Sequence, residues 1–168
     1  MDSAQLRALQ APLKEQYTSD PGSAQITLSA SGALGEGVTC SVTTGQALVA
    51  AGLHPATGGD GLSVCSGDML LQALVACAGV TLNAVATSLG IAVDTGTITA
   101  EGDLDFRGTL AVDREAPVGF TNIRLAFDLE TDASADQLAT LLRLTERYCV
   151  VLQTLRVSPE ITSTIAAA

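Results

Sequence analysis

The sequence predicts an α+β fold in one domain, on three observations. Several segments alternate apolar and polar residues with the period of a half-buried strand. Two further segments have the period, or the unbroken apolar character, of helices. The strand-like segments come in runs separated by single long helices, which argues for antiparallel sheets with packed helices rather than a parallel α/β sheet. At 168 residues the chain suits a single domain over 1–168 with a real core.

The elements follow in order. Residues 3–17 suit a short helix ended by Pro21-Gly22, so residues 1–20 read as an N-terminal helical extension. Ala24, Ile26, Leu28 and Ala30 alternate with polar residues, as do Val38, Cys40 and Val42, and a third strand covers 46–53. The Gly-rich stretch 54–61 follows as a connector. Its Gly58-Gly59-Asp60-Gly61 lacks the Gly-Lys-Ser/Thr ending of a phosphate-binding loop. A long helix is expected over 66–89, with Ser66 as N-cap, Asp68 at the positive helix end and Gly90 as the stop. Strands resume at 98–104 and 123–129, each with one wet face. Ser134-Ala135-Asp136-Gln137 is a capping box. It opens a helix whose inward face is Leu138, Leu141, Leu142, Thr145, Cys149 and Leu152. Ile161, Ser163 and Ile165 predict a last strand.

Composition narrows the function classes. Apolar residues make up 47% and charged residues 15%, which is a globular balance. The net charge of −10 repels phosphates, so neither nucleic acid nor an anionic membrane is an expected partner. Between Lys14 and Arg107 there is no Lys or Arg. A cation near a site in the first half must come from the N-terminus, the second half or another chain. Residues 69–93 are apolar enough to suggest a membrane span. However, Gln72, Thr81, Asn83, Thr87 and Ser88 interrupt them, and the flanks are Asp68 and Asp94 with no basic residue. A helix buried inside a soluble protein is the expectation. A small-residue stripe on it (Ala73, Ala76, Cys77, Val80 and Ala84, with Gly79 beside it) would let another helix approach closely.

Four cysteines, Cys40, Cys65, Cys77 and Cys149, carry the chemistry worth weighing. Residues 1–16 do not resemble a signal peptide, so a cytoplasmic setting with reduced thiols is expected. No Cys-x-x-Cys occurs and His54 is the single histidine, so neither a metal nor a bound cofactor is expected. Cys40 lies on a strand's apolar face and reads as a core residue. Cys65 precedes the helix start, where backbone N–H groups favour a thiolate. Cys77 lies in mid-helix. Cys149 lies about 20° around its helix from Leu138, so it faces the core. Arg147, two residues earlier, points the other way. Periodicity alone shows only that both Cys77 and Cys149 face inward.

Here the sequence resembles a known family. Residues 70–82, Leu-Leu-Gln-Ala-Leu-Val-Ala-Cys-Ala-Gly-Val-Thr-Leu, resemble the central helix of the OsmC/Ohr family of osmotically inducible and organic hydroperoxide resistance proteins. Glu101-Gly102-Asp103-Leu104-Asp105, and Gly119-Phe120 leading into Ile123-Arg124-Leu125, resemble the strands that follow. Glu146-Arg147-Tyr148-Cys149 resembles the segment of the family's second cysteine, and the similarity runs over about 24–165. The resemblance implies an OsmC-like fold, with antiparallel sheets wrapped around two long central helices in an intertwined homodimer. It also implies a thiol-dependent peroxidase. Cys77 would attack the O–O bond of an organic hydroperoxide and become a sulfenic acid, Cys149 would condense with it to a disulfide, and an external dithiol, such as a dihydrolipoyl group, would reduce that disulfide.

The chain departs from the family pattern around the nucleophile. Family members carry an Arg on an N-terminal strand, a Pro-Glu pair at the start of the central helix, and often a Pro after the second cysteine. Here the first has no counterpart, the second reads Ser66-Gly67 with Asp68 next, and the third is Val150. Asp68 stands as the candidate substitute for the Glu. Arg107, Arg124 or an Arg of a partner subunit stand as candidate cations. The alternative reading is a non-catalytic relative that binds a small apolar or thiol ligand in the dimer cleft.

Overall fold

The computed structural model describes residues 31–34, 39–44, 47–111 and 113–166, with scattered positions before residue 20, and residues 31–48 by their backbone. Ser3, Ala4, Gln5, Ala8, Gln10, Ala11 and Glu15 are helical, within the expected extension. The expected strand at 24–30 lies outside the described residues.

The first sheet is a meander. Strand β1 (Ser31–Leu34) pairs antiparallel with β2 (Thr39–Thr44), and β2 with β3 (Ala47–Gly52). A two-residue strand, β4 (Val64–Cys65), then adds parallel to β3, with Ala51 opposite Val64. Neither β1 nor β4 was expected from the sequence, because both are too short to show a period. The connector holds a single 3₁₀ turn, Pro55–Thr57. His54 caps it by accepting the Ala56 N–H at its Nδ1 at 3.0 Å. Gly59 is required there, since a Cβ would lie 1.8 Å from the Leu53 carbonyl oxygen.

Helix α1 (Ser66–Leu89) has the expected bounds, though its cap differs. Cys65 rather than Ser66 is the N-cap residue, with an extended backbone and no side-chain cap bond. The C-terminus is a full Schellman closure. Gly90 is left-handed at φ 69°, its N–H donates to Thr87, and the Ile91 N–H donates to Ala86 at 2.9 Å. Ile91 then turns into the core.

Strands β5 (Thr95–Asp103) and β6 (Asn122–Glu130) form a separate antiparallel pair, in register from Thr95 opposite Glu130 to Asp103 opposite Asn122. Their alternation is as the sequence predicts. Ile98, Ala100, Ile123, Leu125, Phe127 and Leu129 face the helices, and the charged residues face out. A one-turn helix, α2 (Phe106–Thr109), capped by Asp105, interrupts the connection and was not anticipated.

Helix α3 (Ala135–Tyr148) starts with the predicted capping box. The Ser134 N–H donates to Gln137 at 2.9 Å and the Gln137 N–H to Ser134 at 3.3 Å. It does not run through Leu152. The backbone leaves helical geometry at Cys149 (φ −72°, ψ 104°), and a new helix, α4 (Val150–Arg156), begins there. Gln153 ties α4 back to α3 by donating from its side chain to the Glu146 carbonyl at 2.7 Å. The expected inward face is kept by Leu141, Thr145 and Cys149, whereas Leu142 is exposed. The expected last strand does not form among the described residues: Ile161 and Ile165 lie outside any strand and are largely exposed.

The core lies between α1 and the α3–α4 pair, floored by β5 and β6. Leu82, Val85, Ala86, Ile91 and Leu141 form one cluster, and Leu74, Ala78 and Cys149 form the other. Leu82 therefore meets Leu141 while Leu74 and Ala78 meet Cys149, so α1 and α3 run antiparallel. Five α1 residues, Leu74, Ala78, Leu82, Val85 and Ala86, are buried. The small-residue stripe is not where α3 approaches. Ala73, Ala76 and Val80 face outward, with Val80 at 73% exposure. The sheet instead packs close at Gly79, where a Cβ would sit 3.5 Å from Ile98.

Candidate functional site

Two of the four thiols meet. Cys149 is fully buried at 0% exposure in the cluster of Leu74 and Ala78, and half-buried Cys77 packs against that cluster. The meeting follows from the antiparallel run of α1 against α3. A residue in mid-α1 is thereby level with the last turn of α3.

The break at Cys149 changes what the sulfurs face. The first helical bond of α4 is the Gln153 N–H to the Cys149 carbonyl, at 2.9 Å. The N–H groups of Val150, Val151 and Leu152 are thus left without partners inside the helix. They carry the positive end of the α4 dipole to the sulfur pair.

The two thiols respond in opposite directions. Burial pushes the Cys77 thiol up, but the Val151 N–H, the Cys149 S–H, the Thr81 hydroxyl and the Val150 N–H all favour its thiolate, and the net shift is below the ordinary thiol value. Cys149 goes the other way. Burial raises it, as does donating to an ionised Cys77, and the N–H groups of Leu152 and Val151 offset this only in part. The donors around Cys77 favour ionisation there, with the Cys149 thiol among those donors.

The other expected participants lie elsewhere. Asp68 sits in the first turn of α1, nine residues before Cys77, which is about 13 Å along the helix. Arg107 donates to Asp105 at 2.6 Å and lies 3.4 Å from Asp113. Arg124 donates to Glu101 at 3.2 Å and to Asp103 at 2.8 Å, on the outer face of the sheet. Hydrogen bonds from these guanidinium groups hold Asp103 and Asp105 below the usual carboxylate range. None of the three residues is among the groups that bear on the Cys77 thiolate. Arg147 lies over the Tyr148 ring, 5.7 Å from its centroid.

Cys65 stands apart from the pair. Cys65 lines a separate cavity of about 200 Å³ with His54, Asp68, Phe106 and Phe120, and His54 stacks on Phe106 at 5.0 Å. Twelve residues separate Cys65 from Cys77, which is about 18 Å of helix. Cys40 is opposite Ala51 in the meander, far along the chain from the pair. Among the described residues, no group of three or more His, Cys, Asp or Glu side chains could hold a metal ion.

Three groups that bear on the Cys77 sulfur are absent from the sequence reading: the Thr81 hydroxyl and the N–H groups of Val150 and Val151. Thr81 lies one turn after Cys77, a spacing that could have identified it. Thr145 is 1% exposed, lies one turn before Cys149, and its hydroxyl has no hydrogen-bond partner. An unsatisfied buried hydroxyl costs about 1–3 kcal/mol.

Beside the pair runs a groove of mixed polar and apolar lining, about 350 Å³, between β6 and α4. Ile123, Leu125, Phe127, Leu152 and Leu155 line it, and the same five side chains pack against the sulfur cluster. Glu146 and Arg156, 3.0 Å apart, also line it.

Known structures share this arrangement of elements. The OsmC-like protein of Mycoplasma pneumoniae is 16% identical, with a TM-score of 0.67 over 80% of this chain and 90% of its own. The organic hydroperoxide resistance protein of Elizabethkingia anophelis is 15% identical, with a TM-score of 0.64 over 80% of this chain and 91% of its own. A Legionella pneumophila protein described as an organic hydroperoxide resistance protein OsmC is 17% identical, with a TM-score of 0.62 over 79% and 90%. At these identities the likeness shows the fold. No curated protein sequence matches the chain. Residues 58–164, which hold both α1 and the Cys77–Cys149 pair, match the sequence profile of the OsmC-like proteins, and the chain belongs to that family.

Proposed function

We propose that the protein is a thiol-dependent hydroperoxide reductase with Cys77 as nucleophile and Cys149 as resolving thiol. The observation that carries this is the packing of Cys77 against the buried Cys149 in one cluster, with N–H and O–H donors around Cys77. A nucleophile must be ionised, and a resolving thiol must wait protonated beside it. The Cys77 thiolate attacks the O–O bond, sulfur gains an oxygen, and the alcohol leaves with a proton. Cys149 then displaces that oxygen as water and closes the disulfide. An external dithiol of the dihydrolipoyl class would return both thiols. Activation here comes from the start of α4 and from Thr81, in place of the arginine that family members supply. The apolar wall of the groove, Ile123, Leu125, Phe127, Leu152 and Leu155, suits the organic part of a hydroperoxide.

The working unit is proposed to be a homodimer. The outward stripe Ala73, Ala76 and Val80 is an apolar strip of a central helix, which calls for a second copy. The exposed Ile161 and Ile165 fit the same need. A cytoplasmic location agrees with the reduced state that the pair requires.

The groove also favours a second reading, in which the protein binds an apolar or thiol ligand without turning over. Stoichiometric cumene hydroperoxide separates the two. Mass spectrometry should find the Cys77–Cys149 disulfide, and Cys77→Ser should abolish peroxide consumption. Consumption that survives Cys77→Ser would rule the reductase out.

A further inference from the structure

The reductase mechanism leaves one buried polar group unused. Thr145 is 1% exposed and its Oγ1 has no partner. Its position is set by two contacts. Its carbonyl accepts the Cys149 N–H at 2.9 Å, so its side chain lies on the Cys149 face of α3, one turn earlier. On α1, Leu82 meets Leu141 and Ala78 meets Cys149. Thr145, midway between Leu141 and Cys149, is therefore level with the α1 turn that follows Cys77. That turn carries Thr81, whose hydroxyl already bears on the Cys77 sulfur.

We infer that Thr145 is the hydrogen-bond donor for the oxygen that Cys77 acquires when it is oxidised. This rests on the reading of Cys77 as the sulfenic acid and Cys149 as its resolver. In the reduced protein no oxygen is present and the hydroxyl is idle. When the peroxide O–O bond breaks and the S–O bond forms, an oxygen appears beside the sulfur pair. The Thr145 O–H donates to it and holds it away from Cys149. The Cys149 sulfur then attacks along the S–O axis, the S–S bond forms, and the S–O bond breaks. The departing oxygen leaves as water with the Cys149 proton. The hydroxyl stabilises charge on the leaving oxygen and is itself unchanged. A buried polar group without a partner in one state, and with one in the next, acts on the second step alone.

The test separates the two steps. Wild type, Thr145→Val and Thr145→Ser are each mixed with one equivalent of tert-butyl hydroperoxide, quenched in acid, and assayed by mass spectrometry for dimedone-trapped Cys77 sulfenic acid and for the disulfide. Thr145→Val is expected to form sulfenic acid at the wild-type rate but condense about tenfold more slowly. Sulfinic acid should build up at Cys77 as a result. Thr145→Ser keeps the donor and is expected to condense at close to the wild-type rate. Condensation in Thr145→Val at the wild-type rate overturns the inference, as does Thr145→Ser as slow as the valine variant. If Thr145→Val does not fold, Thr145→Ala against Thr145→Ser decides on the same criterion. A wild type that forms no sulfenic acid overturns the reductase reading and this inference together. Normal wild-type condensation matched by the valine variant overturns this inference alone.

Discussion

Cys77 and Cys149 share one packed cluster, and the protein moves their acidities apart: Cys77 is held below the ordinary thiol value and Cys149 above it. The asymmetry is structural. Cys77 faces N–H and O–H donors on several sides, whereas Cys149 is fully buried and spends its proton on Cys77. It has a direct consequence for pH. Below its lowered value Cys77 is a thiol and unreactive; above it, a thiolate. Alkylation of Cys77, followed by peptide mass spectrometry, should therefore rise with pH at a lower midpoint than that of Cys149. A Cys77 midpoint at or above that of Cys149 would contradict the assignment of nucleophile and resolver.

The Cys149 thiol is one of the donors that lower Cys77. Cys149→Ala removes it, and the Cys77 midpoint should move upward toward an ordinary thiol. Cys149→Ser keeps an O–H at the same place and should shift it less. Equal shifts in the two variants would assign the effect to packing rather than to the donated proton.

How far this site could be read in the sequence depends on what marks each element. The bounds of α1 were legible because Asp68 and Gly90 stand at the ends of an apolar run. β5 and β6 were legible from alternation, and the start of α3 from its capping box. The break at Cys149 was not. Leu138, Leu141, Thr145, Cys149 and Leu152 keep helical spacing straight through it, and neither Gly nor Pro stands there. The freed N–H groups of Val150 and Val151 belong to the backbone and leave no trace in residue types. Residue types therefore pointed to Arg107 and Arg124, but Arg124 pairs with Glu101 and Asp103 across the sheet and Arg107 with Asp105 and Asp113 in the connection. The last strand failed for the opposite reason. Its alternation is real, but a strand needs an edge to pair with, and among the described residues none pairs with it.

The two arginines supply a control. Arg124→Gln and Arg107→Gln each break exposed ion pairs, which are screened by solvent. The rate of peroxide consumption should stay within about twofold of wild type for either. A loss of about tenfold or more would mean that a guanidinium activates Cys77 after all.

The contribution of α4 can be tested without dismantling it. Val150 is the first residue of the helix, a position where proline's missing N–H breaks no helical bond. The residue before it, Cys149, already has the extended backbone that a following proline demands. Val150→Pro should fold with α4 intact, remove one N–H from Cys77, and raise the Cys77 midpoint only in part, because the larger Val151 contribution remains. No shift would mean that the Val150 N–H does not reach the sulfur.

The outward strip of α1 gives the last prediction. Val80 is 73% exposed on the most apolar helix of the chain, between Ala76 and Asn83, which are also exposed. If a second copy covers this strip, Val80→Glu buries a carboxylate in an apolar interface. Desolvation then opposes association strongly, while the single-chain core, which Val80 does not enter, is untouched. Light scattering after size exclusion should give wild type twice the 17.0 kDa chain mass and Val80→Glu the mass of one chain. Leu141→Ala provides the contrasting loss. Leu141 is 1% exposed within the chain's own core, and truncation there should cost about 2–5 kcal/mol in denaturant unfolding. A wild type that runs as a single chain, or a Val80→Glu that remains paired, would place the covering partner elsewhere. The strip would then have to be protected by residues of the same chain.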